Sequence, residues 1–352
     1  MDKIFNGFFR ILCILVVSLL IGSIFILMIG ENPIDAYIAL IQGAFVGKRN
    51  FGNTIALFTP LMLTSLAFAV AARAGAFNVG VEGSVFLGAL GASIVGIYGD
   101  FLPTAVHLVA CFLVAIIIGG LWALIPAVLK AYYKVNEVCS TILLNYVAIF
   151  ITSYVVSVPI SAGTSIPQSL PISEDILLTK FMRPSNANIG VFIAIAVVIV
   201  VIIVYNNSTF GFKMKAIGVN PDNAKYVGID PKKNFIKAMV LSGVLGGIAG
   251  CIEVLGVYGY FLSGFGTNLG FNGMLASLIA KNNLFGAPFM AFFIGALKSG
   301  ALGLQQATGV PRAIVDTITA TFIIIATMDT LFQFNKEKIK TLFKKNKKTE
   351  VI

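Results

Sequence analysis

Residues 104–129 read TAVHLVACFLVAIIIGGLWALIPAVL, with no acid, lysine or arginine and a single histidine, His107. As a helix rising about 1.5 Å per residue, a run of this length exceeds the ~30 Å hydrocarbon core of a bilayer. It reads as a transmembrane helix. Working outward, comparable apolar runs occupy residues 11–29, 54–72, 77–98, 138–160, 189–205, 238–258 and 313–331. Two more, 269–280 and 284–304, are separated only by Lys281-Asn282-Asn283, and the first of them is short. Counting both gives ten spans. The expected fold class is an all-α polytopic membrane protein.

The composition agrees. Hydrophobic residues make up 58% of the 352 positions and charged residues 11%, whereas a soluble domain carries about 25% charged residues. Cytosolic enzymes, nucleic-acid binders and disordered chains are poor fits. The net charge of +10 is concentrated: residues 206–237 hold six Lys and two Asp, and residues 336–352 hold seven Lys and two Glu. Such runs beside apolar spans mark the cytoplasmic side and meet anionic membrane lipid. With the N-terminus cytoplasmic, Lys3, Arg10, Lys130, Lys134 and both basic segments share one side, and an even span count returns the C-terminus there. Loops 31–53 and 161–188 are neutral and fall outside. The latter, with Pro167, Pro171 and Pro184, reads as an irregular external cap. The predicted organisation is therefore a transmembrane body at 1–335, with a cytoplasmic loop at 206–237 and an extracellular loop at 161–188, followed by a basic cytoplasmic tail at 336–352. Glu31-Asn32-Pro33 after the first run makes an uncleaved span the expected reading rather than a signal peptide.

Catalytic chemistry finds little purchase. Cys13, Cys111, Cys139 and Cys251 read as small buried hydrophobes, His107 has no partner pattern, and no P-loop motif occurs. The expectation is no catalytic residue, no metal and no cofactor in this chain.

An internal echo points elsewhere. Residues 78–83 read NVGVEG and residues 268–273 read NLGFNG, both opening an apolar span and separated by five spans. An odd separation inverts one half relative to the other, giving a five-plus-five inverted repeat, and Gly-interrupted helices at corresponding positions point to a transport path. Asn78, Glu82, Asn145, Asn268, Phe271 and Asn272 are the candidate path residues, with amides for a neutral polar solute and Phe271 as a stacking or gating surface. An ionisable group within a span is functional by default. Glu82 either faces the path or fixes a helix break by pairing with Arg73 or backbone, and Asn145 either lines the path or joins helices. Glu253, Lys298, Arg312 and Asp316 are expected near outer span ends, where they snorkel.

In the cytoplasmic loop, residues 218–230 read GVNPDNAKYVGID. Asn220 suits an N-cap, Pro221 the first helical position, Asp222 the positive helix end and Gly228 a left-handed stop. A capped helix of about two turns is expected, a place for a soluble motor to push.

Several stretches together resemble one family: ARAGAFNVGVEGSVFLGALGA (72–92), NEVCSTILLNYVA (136–148), MKAIGVNPDNAKYVGID (214–230), LSGVLGGIAG (241–250), GFNGMLASLIAKNNLFG (270–286) and GALKSG (295–300). They are similar to the permeases of bacterial nucleoside and simple-sugar ABC importers, a group related to ribose and branched-chain amino-acid permeases. The resemblance runs from about residue 53 to 331; Ser84 departs from the Gln or similar polar residue expected after EG. It implies a non-enzymatic, ten-helix permease of the bacterial cytoplasmic membrane. Its implied partners are a second, related permease in a heterodimer, an extracellular substrate-binding lipoprotein, and a cytoplasmic ATPase that carries the ATP and Mg. It also implies that Gly218, Asn220, Pro221, Ala224, Lys225, Gly228 and Ile229 form the coupling helix docked on that ATPase. The expected function is import of nucleosides or a related neutral solute by alternating access. The alternative is a proton-coupled secondary transporter in which Glu82 titrates.

Overall fold

The structure, a computed structural model, describes residues 2–266, 268–321 and 324–325. Its regular structure is all helical, with no regular strand among the described residues. The helices are α1 (Asp2–Ile29), α2 (Pro33–Phe45), α3 (Lys48–Arg73), α4 (Val81–Tyr98), α5 (Thr104–Tyr133), α6 (Glu137–Ser157), α7 (Gly190–Asn207), α8 (Thr209–Val219), α9 (Pro221–Tyr226), α10 (Pro231–Glu253), α11 (Leu269–Ile279) and α12 (Gly286–Thr308). A π-helical turn, Val254–Tyr258, prolongs α10. Seven of the described helices, namely α3 to α7, α10 with its π-turn, and α12, are long and apolar enough to cross a bilayer, and α1 with α2 makes an eighth if that bent pair is one span. Residues 312–321 are also helical. The rest of the run expected at 313–331 lies largely outside the described residues, as does the basic tail at 336–352.

The chain divides into two compact units, Met1–Gly43 with Gly300–Ile352, and Ala44–Ser299. In the first, α1 and α2 meet at 112°, and the Tyr37 hydroxyl donates to the Leu19 carbonyl at 2.6 Å. Helix α2 corrects the expectation of a plain loop at 31–53. Asn32 Oδ1 accepts from the Ile34 N–H at 3.0 Å, Pro33 follows in the first helical position, and Asp35 sits in the first turn. These are helix-start signals.

The second unit holds every candidate functional residue. Its centre is the packing of α4, α5 and α10, with α3 against α10 and α11. The three central helices converge on Gly247. A Cβ built on Gly88 would stand 2.5 Å from the Gly247 Cα, and one on Gly119 would stand 2.9 Å from it. Helices in lipid associate through close van der Waals contact, which small residues permit. That is the physical content of the LSGVLGGIAG stretch.

Segment 161–188 is irregular, with a single 3-10 turn at Glu174–Ile176. Its backbone is satisfied by the π-turn of α10 and by residues 259–261: Leu178 N–H donates to the Leu255 carbonyl at 3.0 Å, Ile172 N–H to Gly259 at 2.9 Å and Ser169 N–H to Phe261 at 2.9 Å. Ile172, Ile176 and Leu178 are buried beneath it.

Candidate functional site: where two helix N-termini meet

Helix α3 ends at Arg73, and the chain runs without helix through residues 74–80 before α4 begins at Val81. Helix α11 has eleven residues, about half the length needed to span the hydrocarbon, and it too follows irregular backbone. Helix N-termini leave N–H groups without intrahelical partners. Neither N-cap residue here, Gly80 or Asn268, supplies a side-chain cap. The partners come from other helices.

At α4, the Asn145 amide from α6 spans the gap. Its Oδ1 accepts from the Gly83 N–H at 2.8 Å, and its Nδ2 donates to the Val79 carbonyl at 3.0 Å. Asn78 closes the turn ahead of it: Oδ1 accepts from the Gly80 N–H at 2.9 Å, and Nδ2 donates to the Ser242 hydroxyl of α10 at 2.9 Å. At α11, the cap is Glu82. Its carboxylate accepts from the Asn268 N–H at 2.6 Å and the Gly270 N–H at 2.5 Å, and the residue is only 2% exposed. Gly270 permits the approach, since a Cβ there would stand 2.5 Å from the Glu82 nitrogen.

The structure thus joins the two halves of the echo, with the acid of the first motif seated on the helix N-terminus of the second. Glu82 lies on these backbone amides, while Arg73 donates from Nε to the Asn282 carbonyl at 2.9 Å, past the other end of α11. Asn268 has a left-handed φ of 71° and an exposed side chain; Phe271 and Asn272 are half-buried on the first turn of α11. Asn78, Glu82 and Asn145 are fully buried.

Two further buried polar groups bear on the site, one misread and one missed in the sequence. Glu253 is 6% exposed, and its Oε2 has no hydrogen-bond partner among the described residues. The expectation that it snorkels at a span end is corrected. The glycine run before it marks tight packing on α10, and that was the available signal. Trp122 Nε1 is likewise buried without a partner among the described residues. It would stand 2.8 Å from a Cβ at Gly83, with Asn145 Oδ1 at 3.0 Å from the same point.

The second candidate region is α9. Asn220 Oδ1 accepts from the Asp222 and Asn223 N–H groups, both at 3.0 Å, and Pro221 takes the first helical position. Gly228 has φ +79°, and the Ile229 N–H closes back on the Ala224 carbonyl at 2.9 Å. Ala224 (4% exposed) and Ile229 are buried, while Tyr226 (89%), Val227 (74%) and Val219 project outward and Lys225 is exposed. Gly218 lies against the Arg73 carbonyl, where a Cβ would collide with backbone. Below it, Tyr205 receives Lys215 Nζ at 5.4 Å and the Arg73 guanidinium at 6.0 Å from its ring centre.

A half-length helix capped by the buried acid of a neighbouring span, together with an exposed apolar projection on a separate capped helix, is the construction of a multi-pass membrane transport component. Comparison with known proteins gives the family. Residues 50–328 match the model for the branched-chain amino acid transport system permease component, and the chain belongs to that family as a transmembrane permease subunit of an ABC importer. It is 33% identical to the guanosine ABC transporter permease NupP of Bacillus subtilis, over 93% of this chain and 94% of that one. It is 30% identical to the nucleoside ABC transporter permease NupB of Lactococcus lactis, over 93% of each. Among solved structures, PsaBC from Streptococcus pneumoniae shares the fold, with a TM-score of 0.50 at 15% identity, covering 81% of this chain and 94% of that one.

Proposed function

We propose that this permease carries nucleosides, or a related neutral solute such as a simple sugar, into a bacterial cell across the plasma membrane by alternating access. The observation that carries the reading is the Glu82 junction: the N-terminus of the half-length helix α11 meets α4 at a buried carboxylate cap, and in transporters built from inverted repeats the path lies where such short helices meet. The relatives named for guanosine and nucleosides support the solute class. Asn268, Phe271 and Asn272 offer the accessible contacts, while Asn78, Glu82 and Asn145 hold the two helix mouths in place. The body has ten spans in a five-plus-five inverted arrangement, both termini are cytoplasmic, and residues 161–188 face outward.

The chain binds no cofactor; ATP and Mg belong to a cytoplasmic ATPase that docks on α9. A second, different permease completes the path, and the exposed aromatic stripe of α6 (Tyr146, Phe150, Tyr154) is the surface offered to it. An extracellular lipoprotein delivers the solute. The deciding experiment is uptake of radiolabelled guanosine into proteoliposomes. Uptake is expected only with the partner permease, the ATPase, the lipoprotein and ATP together. Uptake by this chain alone under a pH gradient would instead establish the proton-coupled alternative.

Docking on α9 has its own test. Tyr226→Asp, on the outward face, is expected to leave the permease in the membrane but to lose the ATPase on co-purification. Ala224 faces the permease itself, so a charge there would disturb α9 before it reached a partner. Retention of the ATPase by both Tyr226→Asp and Val227→Asp would remove α9 from the docking surface.

A further inference from the structure

Between the π-turn and α11 runs a strap, residues 259–266. Irregular backbone at membrane depth is tolerated only where protein covers it or it lines a cavity. Here the inner side is covered by aromatic rings. Phe265 packs on Phe86 of α4 with ring centres 5.1 Å apart, on Phe261 at 4.9 Å and on Tyr258 at 5.9 Å; all three phenylalanines are fully buried. Phe86 stands one turn beyond Glu82 on α4, so this plug lies directly above the carboxylate cap.

The polar side of the strap is held differently. Phe261 N–H donates to the Ser169 hydroxyl at 2.9 Å, Ser169 N–H returns a bond to the Phe261 carbonyl at 2.9 Å, and Ser263 N–H donates to the Pro167 carbonyl at 2.9 Å. The Ser263 hydroxyl meets that of Ser153 on α6 at 3.1 Å. Apart from the Ser153–Ser263 pair, these hydrogen bonds run to residues 167–169, while toward α4 the strap offers ring packing and, at the start of α11, the Asn268 N–H on Glu82. Gly259, Gly264 and Gly266 hold left-handed φ values of 76°, 74° and 59°, turns that a strap needs if it is to swing as a piece.

We propose that residues 259–266 form a gate, closed in this structure, which opens by moving with residues 167–169 away from α4 and from Ser153 of α6, while Ser173 and Leu178 stay bonded to the Gly96 carbonyl of α4 and the Leu255 carbonyl of the π-turn. Opening lifts Phe265 off Phe86 and the Asn268 N–H off Glu82, so the ring contact and one of the two bonds of the carboxylate cap break in one event. The gate rests on the transport reading above, and it gives the outward-facing segment a direct mechanical connection to α11.

A disulfide across the strap tests it. Ser153→Cys with Ser263→Cys, in the full chain with Cys13→Ser and Cys139→Ser, is assembled with its partners in proteoliposomes. Oxidation is expected to form the bond, seen as protection from alkylation, and to lower uptake of radiolabelled guanosine to background; reduction restores it. Failure of the bond to form, or wild-type uptake with the bond formed, overturns the gate. A second readout needs no solute. Adding Phe86→Cys, a membrane-impermeant maleimide is expected to label position 86 during ATP turnover in the reduced protein and to be excluded after oxidation. Equal labelling in both states overturns the gate whatever the solute. Loss of guanosine uptake in the unsubstituted complex, with the labelling difference intact, would count against the nucleoside reading and leave the gate standing.

Discussion

Glu82→Leu is expected to abolish transport and to lower the unfolding temperature of the purified permease. The substitution leaves the Asn268 and Gly270 N–H groups without their carboxylate acceptor, the Gly270 N–H in a buried site. A buried donor so orphaned costs about 1–3 kcal/mol, bonds to a charged acceptor are roughly twice as strong as neutral ones, and a carboxylate at a helix N-terminus contributes about 0.3–1 kcal/mol more. Together the loss is on the order of several kcal/mol, a large share of a typical folding stability. Glu82→Gln is expected to be intermediate, because its amide oxygen keeps one bond while its NH2 confronts the other donor. Uptake and thermal unfolding in detergent should fall in the order wild type, Gln, Leu. Wild-type uptake by the Leu variant would show that the two halves do not need this junction.

Gly247→Val is expected to disrupt folding on the same scale. A Cβ there runs into the Ala115 carbonyl of α5, and backbone cannot rotate aside as a side chain can. Overpacking commonly costs about 1–3 kcal/mol and occasionally more, and a three-helix contact without side-chain slack belongs at the upper end. The expected result is loss of the monodisperse peak in size-exclusion chromatography of the solubilised protein. Gly120→Ala on the same helix as Gly119 is the control, since its nearest neighbour is the movable end of Val244, and it should elute as wild type.

Much of the architecture is legible because hydrocarbon imposes a length and an apolar composition on whatever crosses it. The runs at 54–72, 104–129 and 189–205 become α3, α5 and α7 for that reason. Where the signal is local it is also readable: Asn220, Pro221 and Gly228 cap and stop α9 as their chemistry predicts. The same Asn-Pro signature at Asn32-Pro33 starts α2, yet Glu31 and the later Lys48-Arg49 pair made that stretch resemble a loop. Long-range pairing is another matter. The two Asn-Gly motifs are visible in the sequence, but nothing local says that Glu82 reaches an amide 186 residues away. Nor does the sequence say which side of a six-residue helix faces out, so Ala224 and Tyr226 look equally available until the backbone is built.

The convergence on Gly247 bears on how such a molecule can move. At Gly88, Gly119 and Gly247 helices α4, α5 and α10 touch backbone to backbone, with no side chain at that point to slide or change rotamer. They must travel as one frame, and Glu82, rooted in α4, travels with that frame. Whatever alternates during a transport cycle is therefore carried by the pieces leaning on it, α11 and the strap, each fastened through a few hydrogen bonds and ring contacts that can be broken and remade.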